Sequence, residues 1–435
     1  MDINDSFDNG SQNERENAHH RAICGSNTDA KTLFARNSLI SLLIENPVIW
    51  VVDFSASYVD LFEMLEEEER TWEPLNHSIF KKIQIEHNRL ARVNQCDSWE
   101  NPRFPGTAVM RVSRSDSDFT FNPFLLDDPY LNVPEEQFEF CMDFLKMLTG
   151  LAGSVAEPAL REGLKMFFGA YQLFLRNQKE DKYIQPLTLL SEILEMKIRN
   201  SDLAAAVKRW TGGRRGKIFN SGSEKFKSAR YCCFDLRDIE DDQELKTAIL
   251  YMIFAKAYSD IAENPLLYAK KCLVLDESHR YIANPALSSW IQKLTGSGIM
   301  LDLITESIND LATSDILKNL NHAFFFPGQN DIDDSFRKLG MTGYHVEQYK
   351  KLDPAHGEIY HWTAEGVRRT LRFSVIDPYT YWLITVDAKE REMKRYMKGR
   401  FGNIHDAVAE LVRITADCKT VEERLSKLSS LRPKI

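Results

Sequence analysis

Two stretches of this chain are apolar without interruption and rich in β-branched residues: VIWVVD at 48–53 and CLVLD at 272–276. A strand with one wet face alternates apolar and polar residues. A continuous run marks a strand buried on both faces, which belongs to parallel sheets covered by helices. YCCFD at 231–235 and the runs at 299–305 and 322–326 are further strand signals, and HRAIC at 20–24 reads as a short first strand. Helix-period stretches lie between them, at 31–44, 243–261 and around 286–294. Buried strands alternating with helices predict an α/β fold, a doubly wound and mostly parallel sheet with right-handed crossovers. A strand is expected at 107–112, and three more, at 358–362, 367–375 and 381–386, are expected to close the core.

A length of 435 residues suggests two to three domains. Residues 1–17 read as a flexible polar tail. The first part of the core is expected over 18–126 and the second over 226–386. Between them, 127–225 has few strand signals and helical periods at 136–148, 159–175 and 187–198, so it reads as an all-helical insertion. Residues 387–435 read as C-terminal helices. EMLEEEER at 63–70 reads as the solvated face of a helix within 55–95.

Composition excludes several classes. With 43% hydrophobic and 27% charged residues, the chain is neither disordered throughout nor low-complexity. A net charge of −9, from 64 acidic and 55 basic residues, does not fit a general nucleic-acid coat. Cys24, Cys96, Cys141, Cys232, Cys233, Cys272 and Cys418 have no regular spacing and no CxxC pair, as in a reduced chain without a zinc site. The polar start MDINDSFDNGSQNEREN does not match a Sec-type signal. No run reaches the roughly 18 apolar residues of a spanning helix, so membrane association is expected only through a partner.

Three motifs carry candidate chemistry. The first is Gly25-Ser26-Asn27-Thr28-Asp29-Ala30-Lys31-Thr32, which follows a strand and opens a helix. Gly25, Lys31 and Thr32 match G-x-x-x-x-G-K-[ST], the phosphate loop in which amides cradle phosphates, the lysine reaches the β/γ-phosphates and the hydroxyl holds Mg²⁺. Ala30 replaces the second glycine, where a Cβ would crowd the backbone or penalise a positive φ, and Asp29 adds a negative charge. The plain alternative is an ordinary β-to-α turn. The second motif is Asp276-Glu277 at the end of an apolar strand, where ligands of open α/β sheets bind. Asp276 is suited to hold Mg²⁺ through water and Glu277 to deprotonate an attacking water; the plain alternative is a strand ending in acidic loop residues. The third is LITES at 303–307, where Glu306 stands in the place of a γ-phosphate sensor although a carboxylate repels phosphate.

These residues together resemble the TraC-like large ATPase family of type IV secretion and conjugation systems. NAHHRAICGSNTDAKT at 17–32 is similar to its strand and Walker A loop. VVDFSASY at 51–58 resembles its second-strand Asp and Ser-Tyr turn, and FTFNPF at 119–124 its Asn-Pro motif. RWTGGRRGKIFNSGS at 209–223 resembles a glycine-rich hairpin after the insertion. CLVLDESH at 272–279 is similar to the Walker B strand, and DPYTYWLITVDAKE at 377–390 to a closing strand and helix. The resemblance implies a RecA-like P-loop NTPase core, ATP and Mg²⁺ as cofactors, and a hexamer with its site at a subunit boundary. It implies other secretion subunits as partners and a cytoplasmic place with peripheral inner-membrane association. The phosphates would be held by Gly25, Asn27, Thr28, Asp29, Ala30, Lys31, Thr32 and Glu306, the metal by Thr32 and Asp276, and water activated by Glu277.

The catalytic signatures depart from the family at Ala30, at Thr305-Glu306 in place of Thr-Gln, and at SSWIQKLTGSG, 288–298, which lacks an expected arginine. Arg214, Arg215, Arg280, Arg337, Arg368 and Arg369 are candidates to replace it. Three readings follow: a motor subunit that energises substrate transfer or pilus assembly; a catalytically weakened relative acting as a docking subunit; and a DNA-translocating ATPase of the HerA or FtsK kind, to which the acidic charge gives no support. The basic cluster Lys208, Arg209, Arg214, Arg215 and Lys217 with Trp210 reads either as a nucleotide or nucleic-acid contact or as an exposed hairpin.

Overall fold

The computed structural model describes residues 20–26, 28–43, 47–71, 106–113, 117–126, 128, 130–150, 156–177, 184–221, 225–226, 228–262, 270–282, 284–307, 309–310, 320–329, 332–375, 377–418 and 420–429. The tail at 1–17, Asn27, all of 72–105 and most of 308–319 lie outside this set. By contacts the chain divides into two units: Met1–Val109, Ser228–Asp235 and Tyr258–Ile435, and Met110–Lys227 with Leu236–Ala257.

The uninterrupted apolar runs form strands with no solvent face. Nine strands among the described residues make one sheet: β1 His20–Cys24, β2 Val48–Asp53, β3 Thr107–Arg111, β4 Tyr231–Asp235, β5 Lys271–Leu275, β6 Met300–Thr305, β7 Leu320–Phe325, β8 Glu358–Thr363 and β9 Arg368–Arg372. Their order is β3-β4-β2-β5-β6-β1-β7-β8-β9. The pairs from β4 through β7 are parallel, and β8 and β9 add antiparallel strands at one edge. Every residue of β1, β2 and β4 is buried.

One face carries Ile23, Ile49, Val51, Val274, Ile304 and Phe324. It packs against helix Thr28–Leu43, which contributes Phe34, Leu39 and Leu43, and against Val59–Thr71 through Phe62. The same cluster takes in Trp382, Met393, Leu411 and Leu428 from Pro378–Ile384, Ala388–Phe401, Ile404–Thr415 and Val421–Ser429.

Within β1 and β6 one register pair is charged. Arg21 lies opposite Asp302, both are at most 2% exposed, and the guanidinium makes a two-pronged bond to the carboxylate, with Nε donating to Oδ1 at 2.7 Å. A fork-to-fork pair has one good geometry, so it selects one register.

The run at 381–386 is not a strand. Residues Pro378–Ile384 are helical: the Asp377 carboxylate accepts from Thr380 N–H at 2.7 Å, and Pro378 occupies the first turn. A short apolar run does not tell a strand from a buried helix turn, and the cap decides here. At the other end, Arg36 Nη1 donates to the Ile384 and Thr385 carbonyls at 2.9 and 3.1 Å. Buried Lys394 donates to Leu383 O at 2.8 Å and pairs with Asp60 at 3.0 Å. Buried Glu390 accepts from Thr385 Oγ1 at 2.6 Å and Arg424 Nε at 2.6 Å.

The second unit is helical, with Glu135–Thr149, Glu157–Asn177, Pro186–Met196, Ser201–Lys208, Gly213–Phe219 and Gln243–Lys256. Its core is aromatic: Phe124, Phe144, Phe167, Phe219 and Trp210 are buried. The expected glycine-rich hairpin at 209–223 is corrected to the short helix Gly213–Phe219. Gly216 is required there because a Cβ would lie 2.3 Å from Thr211 O. Arg215 stacks 4.5 Å over the Trp210 ring and pairs with Asp242 at 2.8 Å and Glu244 at 2.7 Å, while Arg214 donates to Asp238 O at 3.1 Å. The cluster therefore spends much of its charge inside its own unit, around an open cleft of about 780 Å³.

Replacing Asp302 by Asn leaves Arg21 buried against a neutral partner. The expected loss is about 3–5 kcal/mol of unfolding free energy. The double variant R21M/D302L is expected to recover most of it. Urea midpoints of the three proteins check this, and a double variant no better than the single one would refute the register argument.

Candidate functional site

Parallel pairing puts the carboxyl ends of β1, β2, β5, β6 and β7 on one edge. Backbone bonds continue past the strand ends. Gly25 N–H donates to Thr305 O at 3.2 Å, Phe326 N–H to Cys24 O at 2.8 Å, Asp276 N–H to Val52 O at 3.1 Å and Ser278 N–H to Ile304 O at 2.8 Å. The first loop, the acidic pair and the start of LITES thus meet at adjacent strand ends.

The turn after β1 is brief, because helix Thr28–Leu43 already begins at Thr28. Gly25 is buried, and a Cβ on it would lie 2.5 Å from Phe326 Cβ. The close approach, not an unusual φ, demands this glycine. Ala30 lies within the helix and rests partly on the core, and it is not among the non-glycine residues with positive φ. The expected backbone penalty at Ala30 is therefore absent. Asp29 is exposed. Thr32 is buried at 6% exposure, and Lys31 is wholly buried with no hydrogen-bond partner for Nζ. A buried ammonium left unpaired costs several kcal/mol. Its place in the first turn of a helix suits an anion.

The acidic side is equally enclosed. Asp276 is 3% exposed, and burial pushes its carboxyl up to about 7, with the neighbouring Asp53 and Glu277 adding to the rise. The Ser55 hydroxyl and Lys31 act the other way. Ser55 Oγ lies 3.1 Å from Asp276 Oδ2, and the Tyr281 hydroxyl donates to the Asp276 carbonyl at 3.0 Å. Asp53 is fully buried, which raises its pKa, and its carboxylate accepts from the amides of Ser55, Ser57 and Tyr58 at 3.0, 3.0 and 2.8 Å.

Glu277 has φ of 51°, a left-handed conformation that non-glycine residues rarely take. Its Oε2 has no hydrogen bond, with Arg280 Nε at 3.5 Å and His279 Nδ1 at 3.7 Å. The Ser278 hydroxyl is also buried without a partner. Ala56, in the turn after β2, shares the left-handed conformation at φ 53°. Strain of this kind, about 1–3 kcal/mol per residue, gathers at functional sites. Glu306 is exposed and its carbonyl accepts from the Gln329 amide, while buried Thr305 donates to Asp310 at 2.7 Å.

Among the described residues, no group of three or more His, Cys, Asp and Glu side chains is arranged to hold a metal ion. The pair Thr32 and Asp276 fits the sparse protein share of a Mg²⁺ that keeps waters and takes phosphate oxygens. The orphaned Lys31 ammonium fits the phosphates themselves.

The comparison with solved structures gives the fold. VirB4 of Thermoanaerobacter pseudethanolicus superposes with a TM-score of 0.56 at 11% sequence identity, over 83% of this chain and 90% of that one. The fold is the RecA-like fold of VirB4. The conjugative coupling protein TrwBΔN70, unbound, gives 0.49 at 8% identity over 82% of this chain and 85% of that one. TrwB with the GTP analogue GDPNP gives 0.49 at 10% identity over 82% and 86%. No family model and no curated protein matches the sequence. Within this VirB4 fold, Gly25, Lys31, Thr32, Asp276 and Glu277 lie at one strand edge. Ser55, Ser57, Tyr281 and Arg280 join them there. Arg280 is one of the six candidate arginines and the Ser-Tyr turn after Asp53 points toward Ser55 and Ser57, whereas Tyr281 has no signal in its spacing.

The Asp276 shift has a pH consequence. Its folded pKa lies above the unfolded value, so the native state retains a proton that the unfolded chain has lost. Stability therefore falls as pH rises from about 4 to about 7 and stays reduced above that. Asp276→Asn is expected to gain on wild type by up to about 4 kcal/mol between pH 4 and pH 8, at about 1.4 kcal/mol per unit. Melting curves without Mg²⁺ at both pH values check this; a difference independent of pH would contradict it.

Proposed function

We propose that this edge binds Mg-ATP and that the chain is an ATP-binding motor subunit of a bacterial type IV secretion or conjugation apparatus, energising substrate transfer or pilus assembly. The observation that carries the nucleotide reading is the Lys31 ammonium, wholly buried, without a hydrogen-bond partner, in the first turn of the helix after β1. Its missing partners are what phosphate oxygens supply. The VirB4 fold supports the apparatus.

In the mechanism, Lys31 and the amides opening its helix hold the phosphates, and Thr32 and Asp276 hold the metal. Bound Mg²⁺ supplies charge to offset the phosphate oxygens. Glu277 orients water and takes its proton. Thr28, Asp29 and Ala30 open the helix that carries Lys31, Asn27 falls outside the described residues, and Glu306 lies at the neighbouring strand end. Partner subunits of the apparatus, a homo-hexamer with the site at a subunit boundary, and a cytoplasmic position on the inner membrane through partners complete the proposal. No described helix is long and apolar enough to cross a membrane.

One observation favours a second reading, a nucleotide-gated docking subunit. Glu277 is turned toward Arg280 and His279 in a left-handed backbone, a pose in which the base faces the basic side chains of the short helix that follows it, His279–Ile282.

Calorimetry with Mg-ATP, followed by phosphate release, separates the readings. Lys31→Ala is expected to weaken binding by about 10- to 150-fold, the worth of a hydrogen bond to a charged group. Glu277→Gln is expected to bind as wild type and lose about 10²–10⁴ in turnover. Binding without turnover in the wild type selects the docking subunit. Absence of binding in monomer and assembled forms alike rejects the proposal.

A further inference from the structure

The turn after β2 reaches the acidic pair through one hydroxyl. Ser55 Oγ lies 3.1 Å from Asp276 Oδ2, across 221 residues of sequence. The same oxygen lies 3.3 Å from Asp53 Oδ1 and within hydrogen-bond distance of Ser57 Oγ. A serine has one proton to give and two lone pairs to receive with. Asp53 already accepts three backbone N–H groups, so its need for a fourth donor is small. Ser55 Oγ thus has three acceptors for one proton, Asp53 Oδ1, Ser57 Oγ and Asp276 Oδ2, and among the described residues the Asp276 carboxylate, unlike Asp53, has no backbone N–H donor.

We infer that Ser55 is a positioning residue for the cation-holding carboxylate Asp276, aimed by the turn that Asp53 ties down. The inference rests on the nucleotide reading above and adds a residue to it. The sequence DFSASY is built for this task. The Asp53 carboxylate gathers the amides of Ser55, Ser57 and Tyr58, which forces the chain back on itself. Ala56 absorbs the reversal at φ 53°. The left-handed backbone has a cost at alanine, and holding it leaves Ser55 little freedom. The Asp276 backbone is fixed from two further sides, by its N–H to Val52 O at 3.1 Å and by the Tyr281 hydroxyl on its carbonyl at 3.0 Å. What remains adjustable is rotation of the carboxylate about χ1 and χ2. The Ser55 bond restrains that rotation by engaging Oδ2, which leaves the other oxygen to meet the hydration shell of the cation.

Such a role is separable from general support of the fold. A positioning hydroxyl matters to the metal-dependent part of nucleotide binding and not to the metal-free part, which Lys31 dominates. The test is ATP binding by calorimetry with Mg²⁺ and with EDTA, on the full chain, for wild type, Ser55→Ala and Ser55→Thr. Ser55→Ala is expected to weaken Mg-ATP binding by about 5- to 10-fold, because the bond reaches the cation only through Asp276 and returns a fraction of the worth of a hydrogen bond to a charged group, with metal-free binding unchanged. Ser55→Thr keeps the hydroxyl and is expected to restore the metal-dependent gain. Equal weakening with and without Mg²⁺, or no weakening, overturns the inference.

A second measurement needs no nucleotide. In apo protein above pH 7, the stability changes of Ser55→Ala and Asp276→Ala are expected to be non-additive, since each removes the same bond. Additive changes overturn the contact itself. Wild-type protein that binds no ATP while this coupling is present rejects the nucleotide reading, and with it the cation role of Ser55, but leaves the Ser55–Asp276 contact standing. The two failures are thereby told apart.

Discussion

The position of every group at the candidate site depends on the register between β1 and β6, and that register carries a buried charge pair. Arg21 and Asp302 face each other with almost no solvent access. A slip of one residue would point both side chains to opposite faces and leave two ions unpaired, at a cost near the whole stability of a domain. With the pair made, Gly25 and Thr305 come level a few residues further on, and the Gly25 amide meets the Thr305 carbonyl. The apolar residues around the pair supply most of the folding free energy and would tolerate more than one alignment. The ion pair supplies the choice among alignments.

The candidate site shows the opposite economy. Lys31 Nζ, Glu277 Oε2 and Ser278 Oγ are buried polar atoms without hydrogen bonds, and Ala56 and Glu277 hold left-handed backbones. Folded chains leave few such groups without a reason. Here the deficits lie together at the carboxyl edge, and they are of matching kinds: an ammonium and a hydroxyl that need acceptors, beside carboxylates whose mutual repulsion needs a cation. A phosphate carrying Mg²⁺ would answer all of them at once.

Much of this architecture is legible in the chain. VIWVVD and CLVLD announce their two-sided burial by lacking polar gaps, and both are buried strands of the parallel sheet. The mostly parallel sheet follows from such runs and the RecA-like core from the family resemblance, and the VirB4 comparison gives the same fold. Gly25, Lys31, Thr32, Asp276 and Glu277 were legible because their spacing from strand ends is itself the signal. What was hidden depends on distant partners or on local caps. YTYWLI has the apolar density of a strand, but Asp377 caps it as a helix and Arg36 receives its far end. GGRRG has the glycines of a turn, but it winds into helix where Gly216 fits under a carbonyl. Arg21 and Asp302 stand 281 residues apart, and nothing in either neighbourhood names the other. The Ser55–Asp276 contact is hidden for the same reason.

The strand order also sets a timetable. β1 is made well before its neighbours in the sheet, β6 and β7, so its two edges stay bare until some 281 further residues have been synthesised. At about 5–20 residues per second this interval is about 15–60 s. Through that time the nascent chain carries the apolar run Ala22–Ile23–Cys24 and the unpaired Arg21 with no sheet to enter. Helix Thr28–Leu43 and β2 can form beside it, but closure awaits β6. Such long-range pairing makes for slow folding and a long exposure to aggregation. The strand that leads into the candidate phosphate loop is thus born early and enclosed late, and the growing polypeptide depends on its cellular surroundings to keep that strand apart from other chains.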